Sequence, residues 1–214
     1  MKKSFLLSAV LASVLTACGG QNTSAILAPV IGAAVGGVVG HQVNDDYGRY
    51  IGAAAGALAG AAINNYMDNQ QQALAQQVAG QNVGVSRVDE STIQLNIQSE
   101  VLFDVNRADI KAGFHPTLMQ IANVLRQYPD TVVHVYGFTD GSGNDDHNQR
   151  LSEQRANAAA QFLIQQGVAA QRFVVRGYGE RFARAQNNAA DRRVEVFIRA
   201  INQQNPQAAY QPIY

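Results

Sequence analysis

Apolar and polar positions change rhythm twice along this chain, and each change marks a boundary. Behind Met1-Lys2-Lys3, residues 4–16 are mostly apolar. Between residues 25 and 65 small apolar residues dominate, interrupted by the polar stretch HQVNDDYGRY. From about Val83 the pattern becomes one of short strands and amphipathic helices.

In this last part, Thr92–Gln98 (TIQLNIQ) alternates apolar and polar residues and predicts a half-buried strand. A short apolar piece then runs from Val101 through Phe103 into a polar loop. Pro116–Gln127 carries Leu118, Ile121, Ala122 and Leu125 at helical spacing, and Tyr128-Pro129-Asp130 stops that helix. Thr131–Phe138 (TVVHVYGF) predicts a strand. Asn148–Gln166 predicts a second helix, with Leu151, Ala158, Phe162 and Leu163 inward and Gly167 as its stop. Phe173–Tyr178 and Arg193–Ile198 predict two further strands. The order β, helix, β, helix, β, loop, β predicts an α+β domain over residues 89–200, with helices layered on a mixed sheet. Residues 201–214 (INQQNPQAAYQPIY) read as a disordered tail.

The first 17 residues have the positive start and short apolar core of a secretory signal, too short to span a bilayer as a helix. They end in Leu15-Thr16-Ala17 before Cys18, which resembles the lipobox of bacterial lipoproteins. That resemblance implies cleavage before Cys18 and lipidation of its thiol and its new amine. Residues 18–24 would then be a lipid-anchored linker. Gly19, rather than Asp, follows the cysteine, a pattern similar to lipoproteins sorted to the outer membrane.

Residues 31–40 (IGAAVGGVVG) and 51–60 (IGAAAGALAG) repeat one pattern twenty positions apart. Gly32, Gly36 and Gly40, and again Gly52, Gly56 and Gly60, fall at spacing four, so each trio lines one helical face. Glycine costs a soluble helix about 1 kcal/mol relative to alanine, so such faces imply close backbone packing in return. The expectation for residues 25–65 is a glycine-zipper helical hairpin, similar to that region of certain outer-membrane lipoproteins. Each run falls short of the roughly 20 residues of a spanning helix. Packing on itself, on a second copy or against a lipid surface is therefore the expected mode. Residues 66–88 read as a Gln-rich helix or linker, the helical part ending near Gly80.

Composition removes several classes of function. Sixteen basic residues balance 16 acidic ones, so no basic surplus marks a nucleic-acid binder. Cys18 is the sole cysteine, which excludes an intrachain disulfide and a cysteine-rich metal site. The chain has neither H-E-x-x-H nor G-x-S-x-G, and no cysteine for catalysis. Neither an enzymatic role nor a cofactor is expected. Asp145, Asp146 and His147 read as solvated loop residues, not as a metal site, and His115 and His134 as structural.

The chemistry concentrates between Tyr136 and Ala156. Thr139-Asp140 and Gly143 end a strand and open a polar loop. Asn148, Leu151, Ser152, Arg155 and Ala156 follow on the next helix. Asn148 and Arg155, seven apart, share a face with Leu151 between them, and Asn148 is also suited to cap the helix. Together with Gly177–Glu180 (GYGE), Asn187 and Arg192–Glu195 (RRVE), these motifs resemble the OmpA-like domain, as does Leu102-Phe103-Asp104 upstream. That family binds peptidoglycan without covalent attachment. Two departures stand out: Ala183 where the family often has proline, and Asp191 where it usually has asparagine. Asp191 is expected to compete for Arg192.

The resemblance implies a site of Asp140 and Arg155 with Asn148, Leu151, Thr139, Phe103 and Arg192 around them. It implies as ligand the meso-diaminopimelate of the stem peptide, whose side-chain end carries an ammonium and a carboxylate. An acid and an arginine suit such a zwitterion, since the planar guanidinium donates two parallel hydrogen bonds to a carboxylate. The expected partners are peptidoglycan, outer-membrane lipid through the acyl chains of Cys18, and a homo-oligomer through the zippers. The alternative is an oligomeric envelope-assembly protein in which wall binding serves only to localise it.

Overall fold

The computed structural model describes residues 58–60 and 62–214. The expected signal peptide, Cys18 with its expected linker, and nearly all of the expected zipper hairpin lie outside the described residues. The first long element, α1 (Ala62–Gln77), places Ile63, Met67, Gln70 and Leu74 on one buried face. It is one continuous helix across residue 65, where the zipper segment was expected to hand over to a linker.

Two strands, β1 (Val83–Asp89) and β2 (Thr92–Gln98), form an antiparallel hairpin. The sequence pattern places residues 83–88 in the linker, and the structure makes them a strand. The corrected strand is an edge on which Val83 and Val85 are only half-buried and Val88 is exposed, so its alternation is muted. A single turn, α2 (Ser99–Leu102), leads by a loop to α3 (His115–Gln127), β3 (Thr131–Phe138) and α4 (Asp145–Gln165). β4 (Phe173–Gly177) and β5 (Arg193–Ala200) complete a sheet of order β1-β2-β5-β3-β4. β3 and β4 run parallel, and every other pairing is antiparallel. The domain is thus α+β with a mixed sheet, as the order of elements predicts.

Alternation along the strands decides what each face buries. Leu95, Val196 and Val135 stand side by side across β2, β5 and β3, as do Ile93, Ile198 and Val133. Leu74, Leu118 and Leu163 from the three long helices pack on this face in one apolar core. The opposite face carries Val132, His134, Tyr136 and Phe138 of β3 and Phe197 of β5, and it too is buried.

The cover on that second face is the C-terminal tail, residues 201–214, which the sequence pattern predicts to be disordered and which is ordered here. Ile201, Ala209 and Tyr210 pack on Val132 and Val174, and a 3-10 turn spans Pro206–Tyr210. The Tyr214 ring lies 5.1 to 5.8 Å, centroid to centroid, from those of Tyr136, Phe138, Tyr178, Phe182 and Phe197. Its hydroxyl donates to Glu195 at 2.6 Å. His134 joins the tail to the sheet, with Nε2 2.7 Å from the carbonyl of Ala209 and Nδ1 2.8 Å from the Tyr136 hydroxyl. A tail with no periodic pattern folds because a sheet face rich in apolar side chains awaits it.

One buried cation fixes the corner between α3 and β3. Arg172 donates to the carbonyls of Leu125, Tyr128 and Thr131 at 2.6 to 3.0 Å, and to the Thr131 hydroxyl. Burial pushes this guanidinium down to about 10, yet it stays charged at neutral pH and satisfies the exposed end of a helix.

Candidate functional site

Close approach between α4 and the sheet sets the site's geometry. A Cβ at Gly137 would sit inside the backbone of Ser152, and one at Gly177 inside that of Glu153. Glycine in β3 and β4, with Ser152, Ala156, Ala159 and Ala160 on the buried side of α4, lets the helix rest on the strands. The Ser152 hydroxyl then accepts from the Gly179 amide at 2.9 Å and donates to Gln149 at 2.8 Å. These contacts explain why GYGE stands in the motif set: its first glycine admits the helix.

Immediately beyond β3 come Thr139 and Asp140. The Thr139 amide donates to Gly179 at 2.9 Å, and the Gly141 amide to Ala185 at 3.3 Å, so two loops hold the strand end. Asn144 caps α4, its side chain accepting from the amides of Asp146 and His147. Asn148, expected to be able to cap the helix, lies one turn inside it. Its amide donates instead to the Ser142 carbonyl at 2.9 Å and to Glu180 at 2.6 Å. Asn148 therefore braces the loop that carries Asp140.

Asp140 is buried, and its two carboxylate oxygens have separate partners. Oδ1 accepts from the Ser142 amide at 3.1 Å and from the Ser142 hydroxyl, and Oδ2 accepts from Arg192 Nη1 at 2.6 Å. Burial opposes ionisation, but the Ser142 and Arg192 hydrogen bonds outweigh it and hold the carboxyl below its ordinary value. The other terminal nitrogen of Arg192 pairs with Glu100 on α2. Asp191 does not compete for Arg192, contrary to expectation. Its buried carboxylate accepts from Nε and the amide of Arg184, each at 2.8 Å, and ties down the 184–191 loop.

Two turns along α4 from Asn148, Arg155 points into the same space. Its Nε donates to Arg107 at 3.0 Å and its Nη2 to Asp104 at 3.3 Å, both backbone carbonyls. The guanidinium lies 5.2 Å from the Phe103 ring centroid, while Nη1 has no acceptor among the described residues. Burial lowers the Arg155 pKa, the charge of Arg192 acts in the same sense, and Asp140 opposes both.

All seven residues expected at the site line one open cleft of about 540 Å³: Phe103, Thr139, Asp140, Asn148, Leu151, Arg155 and Arg192. The sequence reading missed Ser99, Glu100, Val105, Asn106 and Ser142, which line it too. Ser99 and Glu100 carried one local signal, standing a single turn ahead of Phe103. The hydroxyls of Ser99 and Thr139 are buried without a hydrogen-bond partner among the described residues. The cleft thus presents a paired acid, a guanidinium with one open nitrogen and two hydroxyls unpartnered among the described residues, groups complementary in kind to a small ligand bearing both charges.

Residues 102–196 match the OmpA family, and residues 29–68 match the glycine zipper 2TM domain. The probable lipoprotein YiaD of Escherichia coli K12 is 40% identical over 134 residues, 60% of this chain and 61% of that protein. Outer membrane porin F of Pseudomonas aeruginosa is 37% identical over 112 residues, 50% of this chain and 32% of the porin. This chain therefore spans less than two thirds of either relative. Among solved structures, the cell wall anchor of the T6SS from Pseudomonas aeruginosa superposes with a TM-score of 0.53 at 28% identity, over 59% of this chain and 96% of that one. A MotB-like protein from Desulfovibrio vulgaris shares the fold, with a TM-score of 0.56 at 21% identity, over 65% of this chain and 94% of that one.

Proposed function

We propose that this chain, an OmpA-like domain preceded by a glycine zipper 2TM domain, binds peptidoglycan non-covalently and tethers the outer membrane to the cell wall. One observation carries the reading: Asp140 and Arg155, from different elements, line one cleft beside the hydroxyls of Ser99 and Thr139, which have no partner among the described residues. The diaminopimelate side-chain end of a stem peptide fits this chemistry. Its carboxylate goes to Arg155, whose Nη1 is available, and its ammonium to Asp140, with Leu151 and Phe103 against the methylene chain. Asn148 holds the loop, and Arg192 balances the charge. Likeness to the T6SS cell wall anchor supports wall binding. Likeness to the probable lipoprotein YiaD supports an envelope location and a lipid anchor, for which Cys18 is the residue we propose, and wall binding then puts the domain in the periplasm. Nothing in this reading requires bond making, so the protein acts by binding.

Arg155→Ala in the full-length lipoprotein is expected to abolish co-sedimentation with purified sacculi. Undiminished sedimentation refutes the site. Cys18→Ser should lose acyl-chain labelling and release the protein from membranes, and retention there refutes the anchor. The zipper match favours a second role, self-association through residues 29–68. Sedimentation of full-length and zipper-deleted protein tests it: identical masses exclude it.

A further inference from the structure

The central acid of the cleft is already in use. Ser142 fills Oδ1 of Asp140, and Arg192 occupies Oδ2 at 2.6 Å. An ammonium arriving at Asp140 meets a carboxylate whose charge is compensated, with Arg155 as a further cation in the same cleft. Adding a third cation without moving the second concentrates like charge in a confined, partly dehydrated space. Arg192 has somewhere to go. It divides its two terminal nitrogens between Asp140 and Glu100, and the two acids differ sharply in setting. The Asp140 side chain is 7% exposed, that of Glu100 56%, and that of Arg192 itself 31%. Glu100 stands on α2, which the Ser99 amide joins to the Arg192 carbonyl at 2.9 Å, so the acceptor keeps its place when the side chain moves.

We propose that Glu100 is a positioning residue that takes over Arg192 when a ligand ammonium takes Asp140, so that the cleft binds its ligand by exchanging ion pairs. In the empty cleft Arg192 bridges the two acids and keeps the buried one neutralised. In the filled cleft it pairs with Glu100 alone, and Asp140 carries the ligand. Withdrawal of Arg192 from Asp140 also relieves its repulsion of Arg155, which is then a better partner for the ligand carboxylate. The exchange selects for a ligand with an amine: a molecule with only a carboxylate gives Arg192 no reason to move. This inference rests on the wall-binding reading and adds a residue, Glu100, that acts through Arg192.

The test uses the full chain in detergent micelles and two probes. One is a stem peptide ending in meso-diaminopimelate, and the other is the same peptide with its side-chain amine acetylated. Glu100→Gln leaves Arg192 with Asp140 as its one strong partner. It is expected to weaken the amine-bearing peptide roughly tenfold, a coupling ordinary for residues in one ion-pair network. The acetylated peptide should bind wild type and Glu100→Gln alike. In an Arg192→Gln background, where Asp140 is already free, adding Glu100→Gln should change nothing. Equal affinity of wild type and Glu100→Gln for the amine-bearing peptide overturns the exchange. So does an equal loss in both backgrounds. Loss of all binding on Arg192→Gln overturns it too, since Arg192 would then hold the ligand and not yield to it. If wild type itself ignores the amine, the wall-peptide reading falls, and the exchange with it.

Discussion

Moving from about pH 7.5 to about pH 5.5 should remove about 1.3 kcal/mol of folding stability through His134 alone. His134 is fully buried, and desolvation first, then the charges of Arg199 and Arg176, push its pKa from 6.5 down to about 4. The carbonyl of Ala209 opposes that shift without cancelling it. The folded state therefore holds the ring neutral while the unfolded chain protonates it, so stability is full above 6.5 and lost as pH falls toward 4. The loss grows to about 2.5 kcal/mol by about pH 4.5. Protonation also breaks a specific link. With Nε2–H donating to Ala209, Nδ1 must accept from the Tyr136 hydroxyl, and a doubly protonated ring cannot accept. Urea unfolding of wild type and His134→Gln across this range measures the effect. The glutamine variant is less stable at neutral pH, but its pH slope should be flatter by about the stated 1.3 kcal/mol between the two conditions. Parallel slopes refute the argument. The tail should also become cleavable by protease near its 206–214 segment in acid, before the domain unfolds.

Gly177→Ala drives a methyl group into the Glu153 backbone and should push α4 off the sheet, costing about 1–3 kcal/mol and weakening sacculus binding together. A stable variant with full binding contradicts the packing account. Gln70 is buried on α1 with neither amide atom partnered among the described residues. Gln70→Met should therefore raise stability by about 1–3 kcal/mol in a urea titration, and a loss would show that the amide has a partner.

Much of the domain was legible from local pattern. β2 and β3 were read at their observed bounds, and α3 and β5 to within a residue or two, because alternation and helical spacing are recorded in neighbouring residues. The tail was misread for the opposite reason: Ala209, Ile213 and Tyr214 form no periodic pattern, and their cover is a distant sheet face. A clue did stand in β3, where apolar side chains fall on both faces and so demand a layer on each. The seven expected site residues share one cleft because Thr139, Asp140 and Arg192 fall at strand ends, Phe103 at the end of α2, and Asn148, Leu151 and Arg155 along one face of α4, and the fold gathers these.

Spacing alone placed Asp140 at a strand end and Arg155 on a helix face, and it placed the sole cysteine behind an apolar leader. These are local facts, written in residue type and interval. The tertiary structure decided the charge state of the cleft. Arg192 lies 52 residues from Asp140 and 92 from Glu100, and no interval along the chain reports that one guanidinium bridges both. Ion pairs depend on distance and dielectric in space, and only the packing of β5 between β2 and β3 brings those three charges within reach.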